Sequence, residues 1–299
     1  MEPLRITLGV YGLERLFAGD PRGVLEVARQ AEAAGVDALT LTDHVVMGER
    51  TDRYPFGRFP VPPEYPWFEP LTMLAAIAGA TSQIRLATGV LISPLRPAVL
   101  LAKIAATLDV VSGGRLDLGV GTGWQREEYD ASGIPFEGRA ARMDDQLRAC
   151  RALWRDAPAS FASETVRFER IWSRPAPLQS PLPLWFGVAP TEANARRIAE
   201  LGQGWVPIYP DPEFIRNGVE RIRRAFERAG RDPASLRVRA TTPVRYDEKG
   251  RGDLETALGA IDAARAAGAT DIEFMVASFV RRADQLPDFL ERIGKRSEV

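Results

Sequence analysis

Short apolar runs alternate with longer helix-forming runs from one end of this 299-residue chain to the other, and that alternation restricts the fold more than any other feature. Strands are predicted at 5–10, 38–42, 85–91, 115–120, 184–188, 204–208, 237–244 and 271–276. Helices are predicted at 21–34, 70–81, 97–112, 139–154, 191–201, 212–229, 253–267 and 284–296. Asp20-Pro21, Glu69-Pro70 and Asp211-Pro212 each place a capping carboxylate before a first-turn proline. Gly35, Gly113-Gly114, Gly202, Gly230 and Gly268 stand where helices should end on a left-handed residue. The stretch from Ala33 to Leu39 also resembles that from Ala266 to Ile272, a faint internal repeat of one helix-to-strand turn.

Eight strand–helix units predict a (β/α)8 TIM barrel, read as a single domain over 1–299, and apolar strands suit a parallel sheet covered on both faces. A doubly wound open sheet is the alternative. Two insertions interrupt the rhythm. After the second strand, 45–68 holds Tyr54, Phe56, Phe59, Tyr65, Trp67 and Phe68 among five prolines. It reads either as a stiff aromatic wall over a flat ligand or as a long loop packed on the rim. Before the fifth strand, 157–181 holds a predicted hairpin, built from 165–168 and 171–172.

Composition removes several function classes. A net charge of -1 gives no reason to expect nucleic acid or a membrane surface as partner. No apolar run nears the ~20 residues that span a bilayer, and 1–5 shows no signal-peptide core. Cys150 is the one cysteine, so no intrachain disulfide can form, and a cytoplasmic location is expected. Its place in a helix-forming run predicts a small buried hydrophobe. With one histidine and one cysteine, a zinc site lacks ligands, and no metal is expected.

Barrel active sites lie at the C-terminal strand ends. Here those ends offer Tyr11, Asp43-His44, Gly89 to Ile92, Gly121 to Trp124, Ala189 to Thr191 and Ile208-Tyr209. They supply backbone, small residues and apolar surface, with few acid–base groups, as a site does when a planar organic cofactor brings the chemistry. His44 is the exception, because imidazole is suited to proton transfer near neutral pH. Residues 119–124 carry two glycines of a dinucleotide fingerprint, but Trp124 stands where the third belongs, and the run follows the fourth strand. Thr191 reads equally as an ordinary N-cap or as the start of an anion site at a helix N-terminus. Lys103 and Asp109 are expected to form a scaffold ion pair, and Glu69 to cap a helix.

Leu41-Thr42-Asp43-His44, the run from Ile84 to Val90, the long stretch from Leu101 to Trp124, Leu184 to Gly187 and Ile198 to Trp205 together resemble the bacterial luciferase-like oxidoreductases. The similarity spans about 4–210 and is greatest to the coenzyme F420-dependent branch. It implies a flat isoalloxazine at the barrel mouth, propped by a cis non-proline bond at Gly89-Val90. It further implies that Asp43 and His44 contact the ring and handle protons, with Asp43 fixing the His44 tautomer. Ile92, Thr122 and Gly123 would touch the cofactor, and Gly187, Val188, Ala189 and Thr191 would hold its phosphate. Trp124, Tyr54, Phe56 and Trp67 would shape the substrate pocket. The expected activity is hydride transfer between reduced F420 and a small unsaturated or carbonyl compound, with a homodimer as the family's usual assembly. The alternatives are an FMN-dependent monooxygenase and a flavin-binding protein without turnover. Arg50, Arg53 and Arg58 would be the basic groove for a polyglutamate tail, among Glu49, Asp52 and Glu64.

Overall fold

The computed structural model describes residues 3–17 and 19–294. The chain's first two residues and the predicted eighth helix beyond Gly294 lie outside them. The strands are β1 (Arg5–Gly9), β2 (Ala38–Leu41), β3 (Arg85–Thr88), β4 (Leu91–Ile92), β5 (Leu116–Gly121), β6 (Ala159–Ala162), β7 (Arg167–Ile171), β8 (Leu184–Phe186), β9 (Gly204–Trp205), β10 (Arg237–Thr241) and β11 (Asp271–Met275). The helices are α1 (Gly23–Ala33), α2 (Pro70–Ala80), α3 (Ala98–Val111), α4 (Arg126–Ala131), α5 (Arg139–Arg155), α6 (Glu192–Leu201), α7 (Pro212–Arg228), α8 (Leu254–Gly259), α9 (Ile261–Ala266), α10 (Val276–Phe279) and α11 (Leu286–Gly294).

The main sheet runs β3-β2-β1-β11-β10-β9-β8-β5, and β5 pairs back on β3, so the sheet closes. Every one of these pairings is parallel. β3 and β4 both lie along β5 and form one barrel strand, broken at Gly89-Val90. The architecture is therefore a (β/α)8 barrel, and closure excludes the open doubly wound sheet.

Outward-facing Leu8, Leu39, Leu86, Leu118, Phe186, Val238 and Phe274 are wholly buried under the helices, each contributing about 1.5–3 kcal/mol of apolar burial. Inside the barrel the lining is charged. Arg85 pairs with Asp117 at 2.6 Å and Arg237 with Asp271 at 3.0 Å. Arg239 donates to the carbonyl of Thr88 on the non-adjacent β3 at 3.1 Å, so its side chain crosses the interior. Glu273 accepts from Thr40 and, at 3.1 Å, from Thr241. No helix among the described residues is long and apolar enough to cross a membrane.

Several local expectations need correction. The first helix begins at Gly23, because Asp20 spends its carboxylate on the Arg22 amide and guanidinium, both at 2.9 Å. Glu69, Asp211 and Thr191 do cap their helices, accepting from Thr72, Phe214 and Asn194 amides. Gly113, Gly230 and Gly268 are left-handed, whereas Gly202 has φ -105. A Cβ at Gly202 would lie 3.0 Å from the Phe186 ring, so close packing accounts for that glycine. The predicted seventh helix is two helices, α8 and α9, meeting at Ala260. The hairpin pairs β6 with β7, so Arg167 and Ile171 share a strand instead of opposing each other. Lys103 and Asp109 do not pair: Lys103 donates to the Arg174 carbonyl, and Asp109 accepts from Gln179. Cys150 is fully buried, and burial pushes its thiol well above the usual range.

Candidate active site

The break in the third barrel strand sets the floor of the mouth. The Gly89-Val90 peptide is cis. Val90 then lies against bare backbone, since a Cβ on Gly121 or Gly187 would fall 2.8 or 2.9 Å from its methyl groups. Only glycine permits so close an approach at both positions. Above this floor opens a cavity of about 680 Å³ at the C-terminal strand ends, within the range of small-molecule and cofactor sites.

Asp43, His44, Tyr54, Phe56, Trp67, Gly89, Val90, Ile92, Thr122, Gly123, Trp124, Gly187, Val188 and Ala189 all line that cavity. Thr191 does not. Its hydroxyl accepts the Asn194 amide at 3.2 Å, and the residue faces a separate surface cleft with Arg221 and Arg224.

Asp43 and His44 act on different partners, which overturns the expectation that Asp43 fixes the imidazole. Neighbouring residues in extended chain project to opposite sides. The Asp43 carboxylate accepts from the Ile92 amide at 2.8 Å and from both terminal nitrogens of Arg96 at 2.7 and 3.0 Å. Arg96 also reaches Glu69 at 2.8 Å. Burial alone would lower the Arg96 pKa, but the two carboxylates outweigh it and raise it above the usual arginine range. Asp43 is therefore a buried strut joining β2 to the strand-three break.

The partner of His44 is Glu128, in the first turn of α4. Its Oε2 lies 3.3 Å from His44 Nδ1 and its Oε1 accepts the Val45 amide at 2.6 Å. Glu128 is 0% exposed and His44 6%. An ionised carboxylate only accepts, so Nδ1 carries the proton and Nε2 is left for a bound molecule. The sequence reading missed Glu128, although its place four residues beyond Trp124, on the helix following a barrel strand, was a usable signal.

The 45–68 insertion forms a wall of the cavity. Gln125 holds it through the Gly48 amide at 2.7 Å, and the Gly12 amide donates to the Tyr65 hydroxyl at 2.6 Å. His44 is packed edge-on by Trp67 at 4.8 Å, Phe59 at 5.7 Å and Trp124 at 6.3 Å between ring centres. Tyr54 completes the cage against Trp124 at 5.2 Å. Burial raises the Tyr54 phenol, helped by Tyr209, and pushes Tyr11 up to about 12. Both therefore serve as neutral hydroxyls at ordinary pH.

Arg139, Asn194 and Arg197 line the same cavity, and none was anticipated. Arg197 is neutralised by Asp144 at 2.8 Å. Arg139 stacks on Phe136 at 3.8 Å, donates to the Phe136 carbonyl at 3.3 Å and, after Arg126, helps hold the Glu137 carboxyl below the usual range. Its Nε is buried without a hydrogen-bond partner, as are Trp67 Nε1 and Trp124 Nε1. The cavity thus joins a glycine floor, an aromatic cage around one imidazole and an arginine whose Nε has no partner.

Residues 6–288 match the family model described as luciferase-like monooxygenase. The chain is 35% identical over 228 residues to the uncharacterized protein Rv0953c of Mycobacterium tuberculosis, covering 74% of this chain and 80% of the other. The fold superposes on the monooxygenase RslO1 from Streptomyces bottropensis with a TM-score of 0.81 and 21% identity, covering 98% of each chain. It superposes on the coenzyme F420-dependent tetrahydromethanopterin reductase of Methanopyrus kandleri with a TM-score of 0.75 and 17% identity, again over 98% of each. A closed parallel barrel with this mouth and a family match over nearly its whole length place the chain in the luciferase-like monooxygenase family.

Proposed function

We propose that the protein is an oxidoreductase that binds coenzyme F420 at the barrel mouth and reduces a small carbonyl or α,β-unsaturated compound, with His44 as the proton donor. The observation that carries this reading is the lone imidazole, held by a buried carboxylate at Nδ1, that lines a cavity otherwise poor in acid–base groups. The residues present fit a phosphate-bearing tricyclic cofactor. Gly121 and Gly187 keep the floor flat, and unpaired Arg139 Nε marks an anion-receptive end. Ile92, Thr122, Gly123, Val188 and Ala189 would border the cofactor. A reduced deazaflavin supplies a hydride to an electrophilic carbon.

The protein's own part is positioning and proton delivery. In its doubly protonated form His44 gives the Nε2 proton to the carbonyl oxygen, or to the α-carbon of an enone, and is left as the Nδ1–H tautomer that Glu128 holds. Trp67, Phe59, Tyr54 and Trp124 exclude water and offer an apolar face to the substrate. Asp43 keeps the floor in register through Arg96 and the Ile92 amide.

A second reading, FMN-dependent oxygenation, is favoured by one observation. The loop arginines expected to receive a polyglutamate tail are partly compensated: Arg50 pairs with Asp52 at 2.8 Å and Arg53 with Glu127 at 3.9 Å. A stopped-flow comparison of protein loaded with reduced F420 or reduced FMN separates the readings. Oxidation of F420H2 by enones or ketones, slowed by His44→Ala with cofactor affinity intact, is the expected result. Oxygen-dependent oxidation of reduced FMN alone would replace it with the second reading, and inertness of both would leave a binding protein without turnover.

A further inference from the structure

Beside the mouth lies a second cavity of about 490 Å³, between the ends of β9 and β10 and helix α9. Its walls are largely carbon, from Pro212, Pro243, Ile261, Ala264 and Ile272. Three of the polar side chains that border it each hold a hydrogen bond. The Thr241 hydroxyl donates to Glu273 at 3.1 Å, the Thr242 hydroxyl donates to the Glu273 carbonyl at 3.3 Å, and the Asp211 carboxylate caps α7. With walls mostly of carbon, such a space offers a ligand chiefly apolar contact and favours hydrocarbon.

The partition between this cavity and the active site is thin. Ile208 lines the first and the next residue, Tyr209, lines the second. Phe56, from the wall of the active-site cavity, meets Tyr209 edge-to-face at 6.0 Å between ring centres. Phe56 and Tyr209 are each 40% exposed, so their rotation gives up edge contacts with Tyr54 and Phe214, both at 5.3 Å, and no wholly buried side chain. We infer that the second cavity is a subsite for the alkyl arm of the substrate, reached past the Phe56–Tyr209 pair while the reacting carbon stays beside His44. This rests on the oxidoreductase reading for the reacting end and adds the substrate class: carbonyl compounds carrying a linear apolar chain.

The test is calorimetric titration of the full chain with alkan-2-ones from butan-2-one to dodecan-2-one, which requires no cofactor. Each methylene entering an apolar cavity should tighten binding about fourfold. In Ala264→Trp and, separately, Ala260→Phe, both filling the second cavity, the gain should stop at a shorter chain. Circular dichroism verifies folding. A decan-2-one analogue with a terminal diazirine, photolysed on the unmodified chain, should label residues 209–212, 241–243 or 260–264. An unchanged gradient in either folded variant, no gradient in the unmodified chain, or labelling confined elsewhere would overturn the subsite. Failure of the oxidoreductase reading shows up separately, as loaded protein that oxidises neither reduced cofactor.

Discussion

Replacing Glu128 by Gln removes one charge from a fully buried site while keeping its shape. The carboxylate serves the Val45 amide at 2.6 Å and His44 Nδ1 at 3.3 Å. Glutamine can still accept from Val45 through its oxygen, but its NH2 group then points at Nδ1 and demands an acceptor there. The neutral imidazole should therefore carry its proton on Nε2, and the doubly protonated ring that donates from Nε2 loses the carboxylate that supports it at Nδ1. Losing one charge-assisted bond should cost about 1.5–3 kcal/mol of stability, and losing proton transfer should lower kcat by roughly 10²–10⁴-fold. Because the chain holds a single histidine, a 15N-histidine-labelled sample gives one imidazole pattern and needs no assignment. Two-bond 15N–1H correlation should show an Nδ1–H imidazole in the unmodified protein and an Nε2–H imidazole in Glu128→Gln. An unchanged tautomer with unchanged turnover would refute the role given to Glu128.

Asp43→Asn should strand Arg96, which is nearly buried, with Glu69 as its remaining carboxylate. A broken buried pair costs about 3 kcal/mol, a fall in Tm of about 5 °C for a chain of this length, read by thermal unfolding. Cys150 should resist thiol reagents in the native protein and react at the rate of unfolding, since it is fully buried and its thiol is disfavoured as thiolate. Fast native labelling would show that α5 opens locally. Tyr11 is held neutral by burial, with a folded pKa of about 12 against 10. The folded state binds that proton more tightly, so its contribution to stability is complete below about pH 10 and disappears as pH rises through about 12. Denaturant midpoints across that range should fall more steeply in the unmodified chain than in Tyr11→Phe.

The barrel was legible because strand and helix periods, capping residues and glycines agreed along the chain, and the break at Gly89-Val90 followed from resemblance alone. Proline explains two shortened strands, since Pro207 and Pro243 cannot donate to a ladder and β9 and β10 stop before them. The site was only half legible. Asp43 and His44 are adjacent in sequence, and adjacency suggested a shared hydrogen bond, yet alternation along extended chain sends them to Arg96 and Glu128. Those two partners sit 53 and 84 residues away, separations that no local pattern encodes. Arg139 was hidden for a similar reason, because a cation at a helix start reads as surface until the barrel brings α5 to the mouth. The aromatic insertion was the easier part, since density of rings and prolines within 45–68 marked a stiff apolar segment before any contact was known.

Equilibrium titration with F420 and with FMN, followed by ring fluorescence, tests the central claim most directly. The account predicts saturable binding of F420, weakened by Gly187→Ala, whose Cβ would press Val90 at 2.9 Å and disturb the floor. Tight binding of FMN with none of F420 would contradict it.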